Sequence, residues 1–155
     1  MYDHSVRVPF MVVGPGIKAG AKNGAPIYLQ DVMPTTLELA GQPIPEYVEF
    51  KSLMPMLKQG ESKHYESIYG AYKGVQRMVV QNGWKLIHYP TIGVDRLYNM
   101  KADPEEMTDL ALNPEYATKI KELRGELDML RTSFNDPLDY ADATASWKIL
   151  NSKKH

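Results

Sequence analysis

Tyr2-Asp3-His4-Ser5-Val6-Arg7-Val8-Pro9-Phe10-Met11-Val12-Val13-Gly14-Pro15-Gly16 is the stretch on which the reading of the fold turns. Phe10 to Val13 is an unbroken apolar run closed by Gly-Pro-Gly. A run of that kind between turn residues predicts a strand covered on both faces, as in a parallel sheet. Such a strand needs partners on both edges and layers on both sides, and no residues upstream supply them. The expectation is therefore an α/β chain that forms the C-terminal part of a larger protein.

The remainder of the 155 residues sets wide bounds. The length suits about one domain. A net charge of -1 gives no general pull toward nucleic acid or a membrane surface, and no nucleic-acid or membrane partner is expected. The absence of cysteine excludes disulfides and thiol chemistry within the chain. No run approaches the roughly 18 apolar residues of a membrane span. Asp3, His4 and Arg7 stand where the apolar core of a signal peptide would be, so any export signal is expected to lie outside this chain. A periplasmic or extracellular location would follow only if the intact protein carries one.

Past the Gly/Ala/Lys/Asn-rich loop from Ile17 to Pro26, Asp31 reads as the cap of a helix over Val32–Ala40. Pro34 falls in its first turn, Gly41 at its stop, and Met33, Leu37 and Ala40 on one face. Ser52 to Gly60 repeats the device, with Pro55 in the first turn. The polar Gly60–Lys63 link is the expected boundary. The pattern then turns to strands: Tyr65–Tyr72, Gln76–Gln81, Trp84–Tyr89 and Arg96–Met100. Asn82-Gly83 between the middle two is a hairpin signal, because a type I′ turn needs φ > 0 at both positions. Asp103-Pro104-Glu105-Glu106 predicts a helix start running to about Leu112, and Asn113-Pro114 predicts another. Tyr116, Ile120, Leu123, Leu127 and Leu130 then fall at helical spacing. The polar stretch from Asn135 to His155 reads as loose, or as an arm laid over the surface.

The order of these parts resembles the C-terminal third of type I sulfatases. The resemblance is carried by Tyr2-Asp3-x-x-x-Arg7-Val8-Pro9, Gly14-Pro15-Gly16, Asp31-x-x-Pro34-Thr35-x-Leu37-x-x-Ala40-Gly41 and Ser52-Leu53-x-Pro55-x-Leu57-x-x-Gly60. It continues through Gly83-Trp84-Lys85-Leu86-Ile87, Leu97-Tyr98-Asn99-Met100, Asp103-Pro104-x-Glu106 and Asp109-Leu110-Ala111. It implies an alkaline-phosphatase-like fold. Residues 1–63 would end a large α/β domain, and 64–131 would form a small subdomain with a three- to four-stranded antiparallel sheet packed on a C-terminal helix. Residues 132–155 would be the arm.

For an intact enzyme the resemblance implies hydrolysis of sulfate monoesters by a formylglycine, whose hydrate attacks sulfur, with a calcium ion neutralising the sulfate. The expected partners are a missing N-terminal sulfatase portion and the sulfate ester, with self-association through an uncovered sheet edge as a further expectation. This chain departs from the family's catalytic pattern. It has no cysteine, no Ser-x-Pro-x-Arg and no Asp-Asp pair, and Asp3-His4 is followed by Ser5 where the family's metal-ligand motif has Gly. No catalytic residue, metal ligand or bound cofactor is therefore expected within it. The family's sulfate-binding lysine would lie a few residues before Tyr2. Phe50-Lys51 stands where relatives often have Asp-Gly.

The residues left to weigh are few. Asp3 and Arg7 read as a structural ion pair at the strand entrance. His4, His88 and Tyr89 are candidates for the rim of a substrate pocket, the last two because they end a strand beside the Pro90–Asp95 loop. Against this, a lone histidine such as His4 is more often a polar surface or satisfied core residue, and the plain alternative for His88 is a solvent-facing strand residue. Tyr69, Tyr72, Trp84 and Tyr98 suit a core rather than a sugar platform, and Arg77 and Lys85 suit a solvated sheet face. Two other readings stay open: a non-catalytic, stand-alone or partner-binding module, and a piece of a phosphoryl-transfer relative on the same fold.

Overall fold

The computed structural model describes residues 1–59 and 63–141. Its helices are α1 (Asp3–Val6), α2 (Val32–Leu39), α3 (Met54–Gln59) and α4 (Ala117–Ser133). Its strands are β1 (Ser67–Tyr72), β2 (Gln76–Gln81), β3 (Trp84–Tyr89) and β4 (Val94–Asn99), in the sheet order β1-β2-β3-β4. The residues fall into two compact units, one made of Met1–Val8 with the chain from Tyr69 onward, the other of Pro9–Ile68. The first eight residues thus belong with the sheet, not with the segment that follows them.

Asn82 and Gly83 take φ of 51° and 81°, and Gln81 pairs with Trp84 across them, so the two-residue turn sets the β2–β3 register. That register puts Val79, Leu86 and Leu97 in one row across the sheet. The row packs on Leu123 and Leu127 of α4, and all five are buried. Asn113 accepts from the Glu115 N–H at 3.0 Å and Pro114 follows it, so the helix starts where the cap-and-proline pair predicts. Tyr116, Ile120 and Leu130 complete the stripe.

The opposite face carries the alternate row, with Val80, Lys85 and Tyr98 in register. Residues 1–8 lie over this face: the Met1 side chain packs beside Gly70 and Met78, and the Tyr2 ring meets the edge of Tyr98 at 5.8 Å. With both faces covered, no residue of β2 or β3 is exposed, and the run Lys85–His88 is buried throughout.

The other unit is built around Asp31, which is fully buried. Its carboxylate accepts from the Tyr28 N–H at 2.8 Å, the Tyr65 hydroxyl at 2.7 Å and the Lys51 N–H at 3.2 Å. Its carbonyl accepts from Thr35 Oγ1 at 2.6 Å, and that oxygen in turn accepts from the Leu53 N–H at 2.8 Å. Asp31 is therefore a hub joining the start of α2 to the approach to α3. The expected side-chain cap of α2 is not made: Asp31 is itself in a helical conformation, and its carboxylate turns back to the Tyr28 N–H and across to Tyr65 and Lys51.

Four further local expectations are corrected. Phe10–Val13 forms no strand, and Met11 and Val13 are 89% and 97% exposed. No described strand pairs with the run, and an isolated extended segment has no partner for its backbone groups. In α2 the buried residues are Pro34 and Thr35, while Met33 is exposed, because the Asp31–Thr35–Leu53 hydrogen bonds turn that side inward. Asp103–Leu112 forms turns, not a helix. The Asp103 carboxylate accepts from the Met107 and Thr108 N–H groups at 3.1 and 2.7 Å, and Glu106 takes φ of 55°. Finally, the chain just past α4 is fastened, not loose: Phe134 stacks on Tyr69 at 5.4 Å and Asp136 bonds Arg77. The expected Gly60 stop, and the arm from residue 142 on, lie outside the described residues.

The α4-facing row carries the sheet's apolar stability. Leu127→Ala should cost about 2–5 kcal/mol, while Met129→Ala, on the exposed side of the same helix, should stay within about 0.5 kcal/mol; urea unfolding followed by circular dichroism measures both.

Candidate functional site

Charge accounts for most of the buried chemistry. Lys85, in the middle of β3, is 0% exposed. Its ammonium meets the Asp3 carboxylate and lies 2.7 Å from Glu106 Oε1. Glu106 Oε2 accepts from the Asp3 backbone N–H at 2.6 Å. One cation and two carboxylates, drawn from β3, α1 and the loop after β4, thus close on one another. A buried ammonium requires such partners, since each unpaired buried ion costs several kcal/mol.

Around this cluster lie three tyrosines. The hydroxyls of Tyr89 and Tyr98 stand 3.5 and 3.4 Å from that of Tyr2. Burial and the Tyr2 hydroxyl push the Tyr89 phenol up to about 12, and Tyr98 is raised for the same two reasons. Next to them is an open cleft of about 400 Å³, lined by Tyr2, His4, Tyr98, Glu105, Glu106 and Met107.

The α4 face of the sheet carries a second network. Arg77 is buried, bonds Asp136 through Nε, and reaches its other oxygen from Nη2 at 2.9 Å. Tyr69 also donates to Asp136. The Arg77 guanidinium, with help from Tyr69, holds the Asp136 carboxyl well below the usual carboxylate range. Beside it, His88 Nδ1 donates to Asp95 Oδ1 at 2.9 Å, and Arg124 Nε donates to Asp95 Oδ2 at 2.9 Å.

The residues singled out in the sequence are therefore dispersed. His4 is exposed, stacks on Tyr2 at 5.7 Å and lines the cleft. Tyr89 is half-buried behind it. His88 is only 3% exposed, against Asp95 and the Tyr140 ring, so it forms no rim and no solvent-facing strand end. Asp3 lies 3.8 Å from Arg7, whose side chain is 78% exposed, and its shorter contact is Lys85. Arg77 and Lys85 are not on a solvated face: they occupy opposite faces of the sheet, each buried on its own carboxylates. Trp84 leans on Tyr116 while Tyr98 faces Tyr2, so the aromatics make no common platform.

Glu106 and Asp136 are the residues that sequence reasoning missed. The available signal was Lys85 itself, a cation between Trp84 and Leu86-Ile87 in a strand flanked on both sides. Among the described residues no group of three or more His, Asp or Glu could hold a metal. The buried carboxylates are committed to lysine, arginine and N–H donors and do not fit a calcium cage.

Residues 1–133 match the family described as N-sulphoglucosamine sulphohydrolase, C-terminal. The chain belongs to this family. Human arylsulfatase K is 32% identical over 168 residues, covering 99% of this chain and 30% of its own length. A Bacteroides thetaiotaomicron Delta 4,5-hexuronate-2-O-sulfatase is 34% identical, covering 87% of this chain and 30% of its own length. A solved 2-O GAG sulfatase superposes with a TM-score of 0.66 at 31% identity, over 79% of this chain and 29% of that one. A phosphonate monoester hydrolase from Silicibacter pomeroyi superposes with a TM-score of 0.69 at 20% identity, over 78% and 28%, which speaks to the fold alone. The chain thus spans under a third of the length of these sulfatase relatives. The sulfatase resemblance and the mixed α/β architecture read from the residues both hold for this member of the N-sulphoglucosamine sulphohydrolase C-terminal family.

Asp136 supplies a pH test. Its carboxyl is depressed in the folded chain, so the stability it adds is complete above the unfolded value of about 3.9 and is lost as pH falls below it toward the folded value. Asp136→Asn should therefore cost about 3–5 kcal/mol at pH 7 by stranding buried Arg77. Its unfolding free energy should fall less than the wild type's between pH 5 and pH 3, as read by urea titration at about those values.

Proposed function

We propose that this chain is the C-terminal part of a formylglycine-dependent sulfatase whose intact form hydrolyses sulfate monoesters. In that enzyme it supplies scaffold and part of the substrate-pocket wall. The observation that carries the reading is the family match over residues 1–133, in a chain that spans only 30% of arylsulfatase K. The apolar run Phe10–Val13 supports it, because four consecutive exposed apolar residues in no described strand suit a surface that further protein covers.

In this reading residues 1–63 close the large domain and 64–131 form the small one, with residues 1–8 packed on the small sheet. The formylglycine and the calcium ligands belong to the preceding portion, since the carboxylates here are already engaged. His4, in the open cleft, and Tyr89 behind it are the residues nearest to a substrate-rim role. The buried His88 instead braces β4 and α4 through Asp95.

The test compares the isolated 155-residue chain with a longer protein that carries it, each assayed with an aryl sulfate and calcium. The chain alone should give no turnover above blank, and the longer protein should release sulfate. Turnover of a phosphonate or phosphate monoester, with none of the sulfate ester, would replace this reading with the phosphoryl-transfer one.

A further inference from the structure

The one-turn helix α1 is too short to persist by itself, because helix nucleation is unfavourable and a single turn returns few hydrogen bonds. It nevertheless makes three backbone bonds: Ser5 and Val6 N–H to Tyr2 O at 2.9 and 3.1 Å, and Arg7 N–H to Asp3 O at 2.8 Å. Something outside the turn must hold it. Two groups of contacts are available: those of Met1 and Tyr2, which pack on the sheet, bond Gln76 Oε1 through the Met1 amino group at 2.7 Å and meet the Tyr89 and Tyr98 hydroxyls, and the charge cluster at Asp3.

The cluster has the features of a fastener. Lys85 is enclosed, and Asp3 and Glu106 are the carboxylates that meet it, with Glu106 also taking the Asp3 N–H. The Asp3–Lys85 bond joins residues 82 apart in the chain. Glu106 reaches it from a left-handed backbone conformation, which is strained for a non-glycine residue and persists only where surroundings over-determine it. Loss of Asp3 from this site would leave the enclosed Lys85 ammonium with Glu106 alone, whereas the Tyr2 contacts are made by neutral groups.

We propose that Lys85 is a positioning residue, which through Asp3 and Glu106 fixes the path of residues 1–8 across the sheet. It thereby sets where any chain joined before Tyr2 is held against the small subdomain. Only this last consequence rests on the sulfatase reading. The fastening itself belongs to the 155-residue chain and is measured without substrate, so the two stand or fall separately.

Hydrogen–deuterium exchange, resolved by peptide, tests it on the full chain as wild type, Lys85→Met, Lys85→Arg, Asp3→Asn and Leu127→Ala. Lys85→Met and Asp3→Asn should each speed exchange at residues 3–7 by roughly tenfold or more, while the β2–β3 amides keep most of their protection. Lys85→Arg, which keeps the charge, should restore part of the protection at residues 3–7. Leu127→Ala should give the reverse pattern, loosening the sheet more than residues 3–7. If Lys85→Met does not fold, Asp3→Asn carries the test, because Asp3 is partly exposed and its neutral form needs no buried partner. Unchanged exchange at residues 3–7 would assign the fastening to Met1 and Tyr2. A uniform rise across sheet and segment would make Lys85 a stability residue only. Either result overturns the proposal.

Discussion

A lysine ammonium sealed inside a small sheet is the constraint from which the rest of this unit follows. Removing such a group from water costs several kcal/mol unless carboxylates replace the lost hydration. Lys85 draws one from the first turn of the chain and another from the loop after β4. Because both must arrive, the N-terminal segment lies over the sheet face that α4 does not cover. The loop from Asp103 to Leu112 gives up the helix that its own sequence favours. Each face of the sheet is therefore closed by apolar packing together with a buried charge network, Arg77–Asp136 on the α4 side and Lys85 with Asp3 and Glu106 on the other.

The same logic repeats elsewhere in the chain. Arg77 takes Asp136 and thereby fastens the segment past α4, while His88 and Arg124 share Asp95. In the other unit, Asp31 gathers Tyr28, Lys51 and Tyr65, and Thr35 passes the connection on to Leu53. Asp136 and Asp31 each tie irregular backbone to a regular element, while Asp95 joins β3, β4 and α4. Segments with little secondary structure acquire fixed positions this way, because an unpaired buried ion costs more than ordering the chain that pairs it.

In this member of the N-sulphoglucosamine sulphohydrolase C-terminal family the buried charges serve packing. The carboxylates that could draw attention as catalytic or metal-binding groups already have cations or N–H donors. The open ground is the cleft beside Tyr2 and His4, which is set on the same segment that Lys85 holds.

What the sequence determined by itself were the features whose causes are local. Asn82-Gly83 admits one kind of hairpin, Asn113-Pro114 starts a helix through its own side chain, and the stripe from Tyr116 to Leu130 can cover only one face. The family resemblance, spread over short pieces in one order, was legible for the same reason. Tertiary structure alone decided the rest. Nothing near Lys85 announces that Asp3 will lie above it, so the residue reads as solvated until the strand is seen covered on both sides. Glu106 reads as helical because its neighbours favour a helix start, and only the distant ammonium makes the left-handed turn worth adopting. His88 reads as a strand end at a rim, and only the packing of Asp95 and Tyr140 encloses it. Turn and cap preferences act between neighbours in the chain, whereas charge pairing acts between neighbours in space, and a linear pattern records only the first.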